Sequence, residues 1–180
     1  VSIRDRIISL HGEGTLRLSA LRIGDGAGVF EVAMAGRGYR TAIEIGTYRG
    51  CAAAAMAQHC ERVITIDLRH GKVEMEGGFN RAEFWASLGL HNVEFIQVTD
   101  DAEKARVIAP LDFDFAFIDG AHDSLSVCND FALVKRCSRV LFHDYDTSGR
   151  PNKQHVRNLV RELPSHEIKI MGAFALWAAA

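Results

Sequence analysis

Short apolar runs alternate with helical runs along most of this 180-residue chain. Thr41-Ala42-Ile43-Glu44-Ile45 predicts a strand that stops at Gly46, and Cys51 to His59 predicts an Ala-rich helix. Arg62 to Ile66 predicts a second strand, closed by Asp67. A helix over Arg81 to Leu88 precedes a third strand, Asn92 to Val98, and Phe113 to Ile118 forms a fourth. A helix from about Leu125 to Arg136 leads into a fifth strand, Arg139 to Phe142. Asn152 to Leu163 reads as helix and ends at Pro164, whose ring cannot continue it. Ile168 to Met171 and Phe174 to Trp177, split only by Gly172-Ala173, predict a closing antiparallel pair.

Near-continuous apolar strands separated by helices imply a parallel sheet covered on both faces. The expected architecture is therefore α/β: a doubly wound, mostly parallel seven-stranded sheet with a terminal antiparallel strand. One domain spans residues 1–180, with a helical cap segment over 1–40 and the α/β core over 41–180. The Gly-rich patch from Gly24 to Gly28 reads as a loop. In such sheets ligands bind beyond the carboxyl ends of the strands, where the strand order reverses. The residues just after each strand are the ones to inspect.

Composition narrows the chemistry. Hydrophobic residues make up 48% of the chain and charged residues 24%, and the formal net charge is -2. That balance suits a globular protein that handles small molecules, and it disfavours a nucleic-acid partner. Arg4, Asp5 and Arg6 interrupt the early apolar stretch, and the run from Cys51 to Ala57 is too short to span a membrane. Cysteines at 51, 60, 128 and 137 form no C-x-x-C pair, so reduced thiols and a cytoplasmic location are expected.

The loop after the first strand reads Glu44-Ile45-Gly46-Thr47-Tyr48-Arg49-Gly50. Gly46 permits a sharp turn, and Gly50 permits close approach at the helix start. The loop is neither a G-x-G-x-x-G fingerprint nor a P-loop, and a Glu before the first glycine suits a cation better than a pyrophosphate. Glu44-x-Gly46-x-Tyr48-x-Gly50 followed by a small-residue helix resembles the first motif of class I, S-adenosylmethionine-dependent methyltransferases, of the cation-dependent, catechol-type O-methyltransferase branch. The resemblance implies that Glu44, Gly46, Thr47, Tyr48 and Gly50 surround the methionine portion of S-adenosylmethionine, which carries an ammonium and a sulfonium. Asp67, at the end of the second strand, can accept hydrogen bonds from both ribose hydroxyls; helix capping is its alternative role. Thr99-Asp100-Asp101 falls where such enzymes place a residue against the adenine, with Asp100 as the candidate and Asp101 as the alternative.

Two further strand ends are acidic. Phe115-Ala116-Phe117-Ile118-Asp119-Gly120-Ala121-His122-Asp123 delivers Asp119 to the cleft edge, and His143-Asp144-Tyr145-Asp146 arrives beside it from the fifth strand. Two carboxylates at one edge repel unless something positive sits between them, and a hard divalent ion such as Mg²⁺ is a natural solution. The phrase Ile118-Asp119-Gly120-Ala121-His122 also resembles the macrolide-sugar methyltransferase branch. That resemblance implies that Asp119 and Asp144 bind the metal and that His122 removes the proton of the substrate hydroxyl. The resemblance also implies that Asp119 borders the cofactor. The third metal ligand of those relatives has no clean counterpart among His143, Tyr145 and Asp146. Asp123 reads as a helix N-cap.

The function this implies is methyl transfer to a hydroxylated small molecule, assisted by a divalent cation. An NAD-dependent oxidoreductase is opposed by the missing third glycine and by Glu44. A hydrolase lacks its G-x-S-x-G elbow. A non-catalytic binding domain on the same scaffold is the alternative of a different class. The chain has few residues to spare for capping the acceptor, so a homo-oligomer in which a second copy provides the cap is also expected.

Overall fold

A computed structural model of the chain describes residues 1–16, 19–21, 26–68, 79–121, 123–146, 154–164 and 167–179. Helix α1 (Ile3–His11), a 3-10 turn (Glu13–Leu16) and helix α2 (Gly26–Met34) come before the sheet. The core then runs β1 (Thr41–Ile45), α3 (Cys51–Met56), β2 (Arg62–Leu68), α4 (Arg81–Ser87), β3 (Val93–Val98), α5 (Asp101–Ile108) and β4 (Phe115–Ile118). It closes with α6 (Ser124–Val134), β5 (Arg139–Phe142), α7 (His155–Glu162), β6 (Glu167–Met171) and β7 (Phe174–Ala178). None of the helices is long and apolar enough to cross a membrane, among the described residues.

The sheet has seven strands in the order β3-β2-β1-β4-β5-β7-β6. β1 pairs in parallel with β2 and with β4, while β7 runs antiparallel to both β5 and β6. The order therefore reverses between β1 and β4, which is where a ligand crevice opens. Strand alternation divides the core in two. Ala42, Val63, Phe115, Phe117 and Leu176 pack with α1 to α4, around Phe30, Met34 and Trp85. Ile43, Ile45, Ile66, Ala116, Ile118 and Trp177 pack with α5 to α7 on the opposite face. Both faces are apolar, which is why β1 and β4 carry almost no polar positions. Thr41 at the start of β1 and Glu44 within it are the exceptions.

Two expectations need correction. Gly24 to Gly28 is not all loop: α2 begins at Gly26, and a Cβ there would lie 2.4 Å from the Ala20 carbonyl oxygen. Close packing, not a turn, accounts for that glycine. Helix α5 is an element the periodicity did not reveal. It is short and polar, with buried Lys104 and Ile108, and its start is marked by a reciprocal cap. Asp100 accepts from the Glu103 amide at 2.7 Å, and Glu103 accepts from the Thr99 amide at 2.6 Å. The predicted cap at Asp123 is present, accepting from the Ser126 amide at 3.0 Å. All four cysteines are free thiols, with Cys51 and Cys137 buried and Cys128 exposed.

One ion pair braces the α5–α6 side. Lys104 Nζ lies 2.6 Å from Asp130 Oδ1 and 2.8 Å from Asp101 Oδ1. Burial works against the Lys104 charge, but the two carboxylates more than offset it and hold the ammonium above its ordinary range.

Candidate functional site

Three strand ends and the loop after β1 meet at the reversal point. Gly46 has φ +98°, and a Cβ there would stand 2.3 Å from the Asp119 carbonyl oxygen. Only glycine lets the β1 loop lie against the end of β4. The contact is reinforced by the Asp119 amide donating to the Ile45 carbonyl at 2.9 Å, and by the Gly46 amide donating to the Ile66 carbonyl at 2.9 Å. At the far end of the loop, Gly50 has φ +77°, and a Cβ would meet the Trp85 ring at 2.5 Å. The Trp85 indole N–H donates to the Gly50 carbonyl at 2.9 Å. Sequence reading found both glycines, but it did not foresee Trp85 behind the second.

Asp67 serves this loop directly. Its Oδ2 accepts from the Tyr48 amide at 2.9 Å and its Oδ1 from the Leu68 amide at 2.9 Å. Asp67 therefore ties the end of β2 to the loop after β1. Tyr48 itself has φ +47°, a left-handed conformation that is costly for a non-glycine residue. Arg81, a buried residue that sequence reading passed over, donates from Nε to the Tyr48 carbonyl at 2.6 Å and stacks over Phe95. Arg49 reaches the other way, donating to the Gly14 carbonyl at 2.9 Å and tying the loop to the Glu13–Leu16 turn.

Glu44 lies beneath the loop with 1% of its surface exposed. It accepts from the Thr65 hydroxyl, and the Thr65 and Thr47 hydroxyls are 2.7 Å apart. Burial raises the Glu44 carboxyl well above its usual range; the Thr65 hydrogen bond opposes this, Asp119 and Asp67 add to it, and Arg81 opposes it. Thr65 was not singled out from sequence. Its available signal was a hydroxyl on a buried strand, in register with Glu44 across β1 and β2.

Asp119 and Asp144 do converge, because β4 and β5 are neighbours with Ile118 opposite Phe142. Both approach the His143 ring: Nδ1 is 2.8 Å from Asp119 Oδ1 and 3.6 Å from Asp144 Oδ1. Asp144 has φ +56°, which turns the chain directly after the strand. The imidazole nitrogen thus lies against both carboxylates. Among the described residues, no group of three His, Cys, Asp or Glu side chains could hold a metal ion. Asp100 stands at the end of β3, engaged in capping α5, and His122 lies outside the described residues.

With this geometry in view, the comparisons with known proteins give one class. The methyltransferase-domain family model matches residues 43–145, more than half of the chain. The chain belongs to that family. Among solved structures it is similar to an O-methyltransferase from Bacillus cereus in complex with S-adenosylhomocysteine, at 16% identity, TM-score 0.67, and 98% and 90% coverage of the two chains. It is also similar to the O-methyltransferase TomG of tomaymycin synthesis from Streptomyces achromogenes, in complex with S-adenosylmethionine, at 17% identity and TM-score 0.65, covering 99% and 96%. A methyltransferase from Geobacter sulfurreducens aligns at 16% identity and TM-score 0.66, covering 98% and 89%. At such identities the likeness is one of fold. Among curated proteins, none matches the chain.

Proposed function

We propose that this chain is an S-adenosylmethionine-dependent methyltransferase that methylates an oxygen of a hydroxylated small molecule. The observation that carries the reading is the clustering of Glu44, Asp67 and Asp119 around one glycine-bounded loop at the reversal of the sheet. Three acids in one crevice suit a ligand bearing positive charge and a diol. The cofactor, when bound, supplies the activated methyl group. The loop from Gly46 to Gly50 holds its methionine portion, the Asp67 carboxylate accepts the ribose hydroxyls, and the β3 end at Asp100 borders the adenine.

On the acceptor side, the Asp119–His143–Asp144 cluster orients the hydroxyl, and His122 accepts its proton. Positioning of the acceptor oxygen in line with the methyl supplies much of the rate. Asp119 and Asp144 are the carboxylates that would hold a divalent ion, beside the His143 ring. Mg²⁺ is thus an arm of the test.

The experiment is calorimetric titration of S-adenosylhomocysteine into the protein, with Mg²⁺ and with a chelator. Assays of methyl transfer to phenols and sugars follow. Micromolar binding together with acceptor-dependent release of S-adenosylhomocysteine is expected. Absence of binding by the folded chain rejects the reading, and binding without transfer to any acceptor favours the non-catalytic alternative. Equal transfer with Mg²⁺ and with chelator removes the cation from the site.

A further inference from the structure

Arg157 carries a charge that the fold leaves without a counterpart. It lies in the first turn of α7, between buried Val156 and buried Val160. Its own helix offers it no carboxylate one turn on, where Val160 and a second arginine, Arg161, stand. A guanidinium is not deprotonated in proteins, and its N–H donors need acceptors wherever water is shut out. The Arg157 Nε is enclosed and has no hydrogen-bond partner. Among the described residues no carboxylate pairs with this side chain, and what it meets is the face of Tyr145, with Cζ 5.9 Å from the ring centroid. An aromatic face attracts a cation but does not satisfy the in-plane donors of the fork.

Tyr145 fixes where this cation stands. It follows Asp144 directly after β5, and its amide donates to the Ala173 carbonyl at 2.8 Å, which ties it to the turn before β7. Its ring packs on the α5–α7 side of the core. The His143 ring leans the other way, onto Phe174, with centroids 4.9 Å apart. The carboxyl end of β5 therefore presents, in consecutive residues, the cluster of His143 and Asp144 and then an aromatic platform covered by a cation. An acceptor whose hydroxyl is held at that cluster extends along the same edge towards Arg157.

We propose that Arg157 is a specificity-determining residue, and that the acceptor carries an oxyanion, a carboxylate or a phosphate, in addition to the hydroxyl that is methylated. This rests on the acceptor site proposed above. A planar guanidinium matches two oxygens of either group with parallel N–H bonds. The surroundings make such recognition selective. Asp119 and Asp144 repel an anion that enters in any other register, and Arg157 offsets that repulsion only for a ligand that reaches it. A neutral acceptor keeps the contact with Tyr145 but leaves the guanidinium unpaired.

The test is calorimetry on the full chain saturated with S-adenosylhomocysteine, with ligands matched except for charge. Protocatechuate is set against its amide, and glucuronate and glucose 6-phosphate against glucose; the second set separates carboxylate from phosphate. At least one oxyanion is expected to bind roughly tenfold tighter than its neutral counterpart, a gain of about 1.4 kcal/mol. Arg157→Gln should abolish that preference and leave the affinity for S-adenosylhomocysteine unchanged. Arg157→Lys, which keeps the charge but not the fork, should retain only part of it. Thermal melts of both variants confirm that they are folded. Equal binding of charged and neutral ligands by the wild type, or a preference that survives in Arg157→Gln, would overturn the proposal and leave Arg157 as a cover for the Tyr145 ring. Failure of every oxyanion to bind the loaded protein would overturn it as well. Failure of the wild type to bind S-adenosylhomocysteine would instead reject the cofactor reading.

Discussion

Gly46→Ala separates two costs that usually arrive together. At φ +98° any side chain sits in the left-handed region, at a cost of about 1–2 kcal/mol. The new Cβ would also stand 2.3 Å from a backbone oxygen, that of Asp119, which cannot swing aside as a flexible side chain would. Overpacking of this kind costs about 1–3 kcal/mol. The expected loss is therefore about 2–5 kcal/mol. Gly36 is the control: its φ is +70°, but nothing lies within 4 Å of its Cβ position. Gly36→Ala should lose only the backbone part, about 1–2 kcal/mol. Urea unfolding of both variants gives the difference directly, and calorimetry with S-adenosylhomocysteine reports whether the crevice has been forced open. Equal losses for the two variants, with cofactor affinity intact in Gly46→Ala, would refute the claim that Gly46 is a close-approach position.

Lys104→Met leaves the Asp130 carboxylate, 1% exposed, without its partner, and should cost about 3–5 kcal/mol in urea unfolding. Lys104→Met combined with Asp130→Leu should recover most of that loss. Asp67→Asn should weaken S-adenosylhomocysteine binding by about 1.5–3 kcal/mol in calorimetry, the worth of a hydrogen bond to a charged group. Glu44, raised from its ordinary value of 4.5, binds its proton more tightly folded than unfolded. Its contribution to stability is thus present below pH 4.5 and is lost as pH rises towards the folded value. Cofactor-free Glu44→Gln should accordingly lose less stability than wild type between pH 5 and pH 8, as read from melting temperatures.

The strand pattern was legible because two buried faces demand unbroken apolar runs, and Thr41–Ile45 and Arg139–Phe142 begin and end where that pattern places them. Helix α5 was hidden because only Lys104 and Ile108 of its eight residues are buried, so its apolar period is too weak to show. The loop glycines could be found since their roles follow from backbone geometry next to a strand end. Thr65, Arg81 and Trp85 could not, because each acts through contacts made across the sheet or from a later helix. The contact of His143 with both carboxylates was not legible either, because it depends on where the side chains at the ends of β4 and β5 point.

The two tryptophans of this chain occupy opposite faces of the sheet, and only one of them touches the loop. Trp85 holds the Gly50 carbonyl, whereas Trp177 is bonded to the Pro164 carbonyl on the far side. The molecule therefore carries a built-in optical reporter with its own reference. Occupation of the loop should change the emission of Trp85 while Trp177 stays constant, and Trp85→Phe should render the same titration spectroscopically silent.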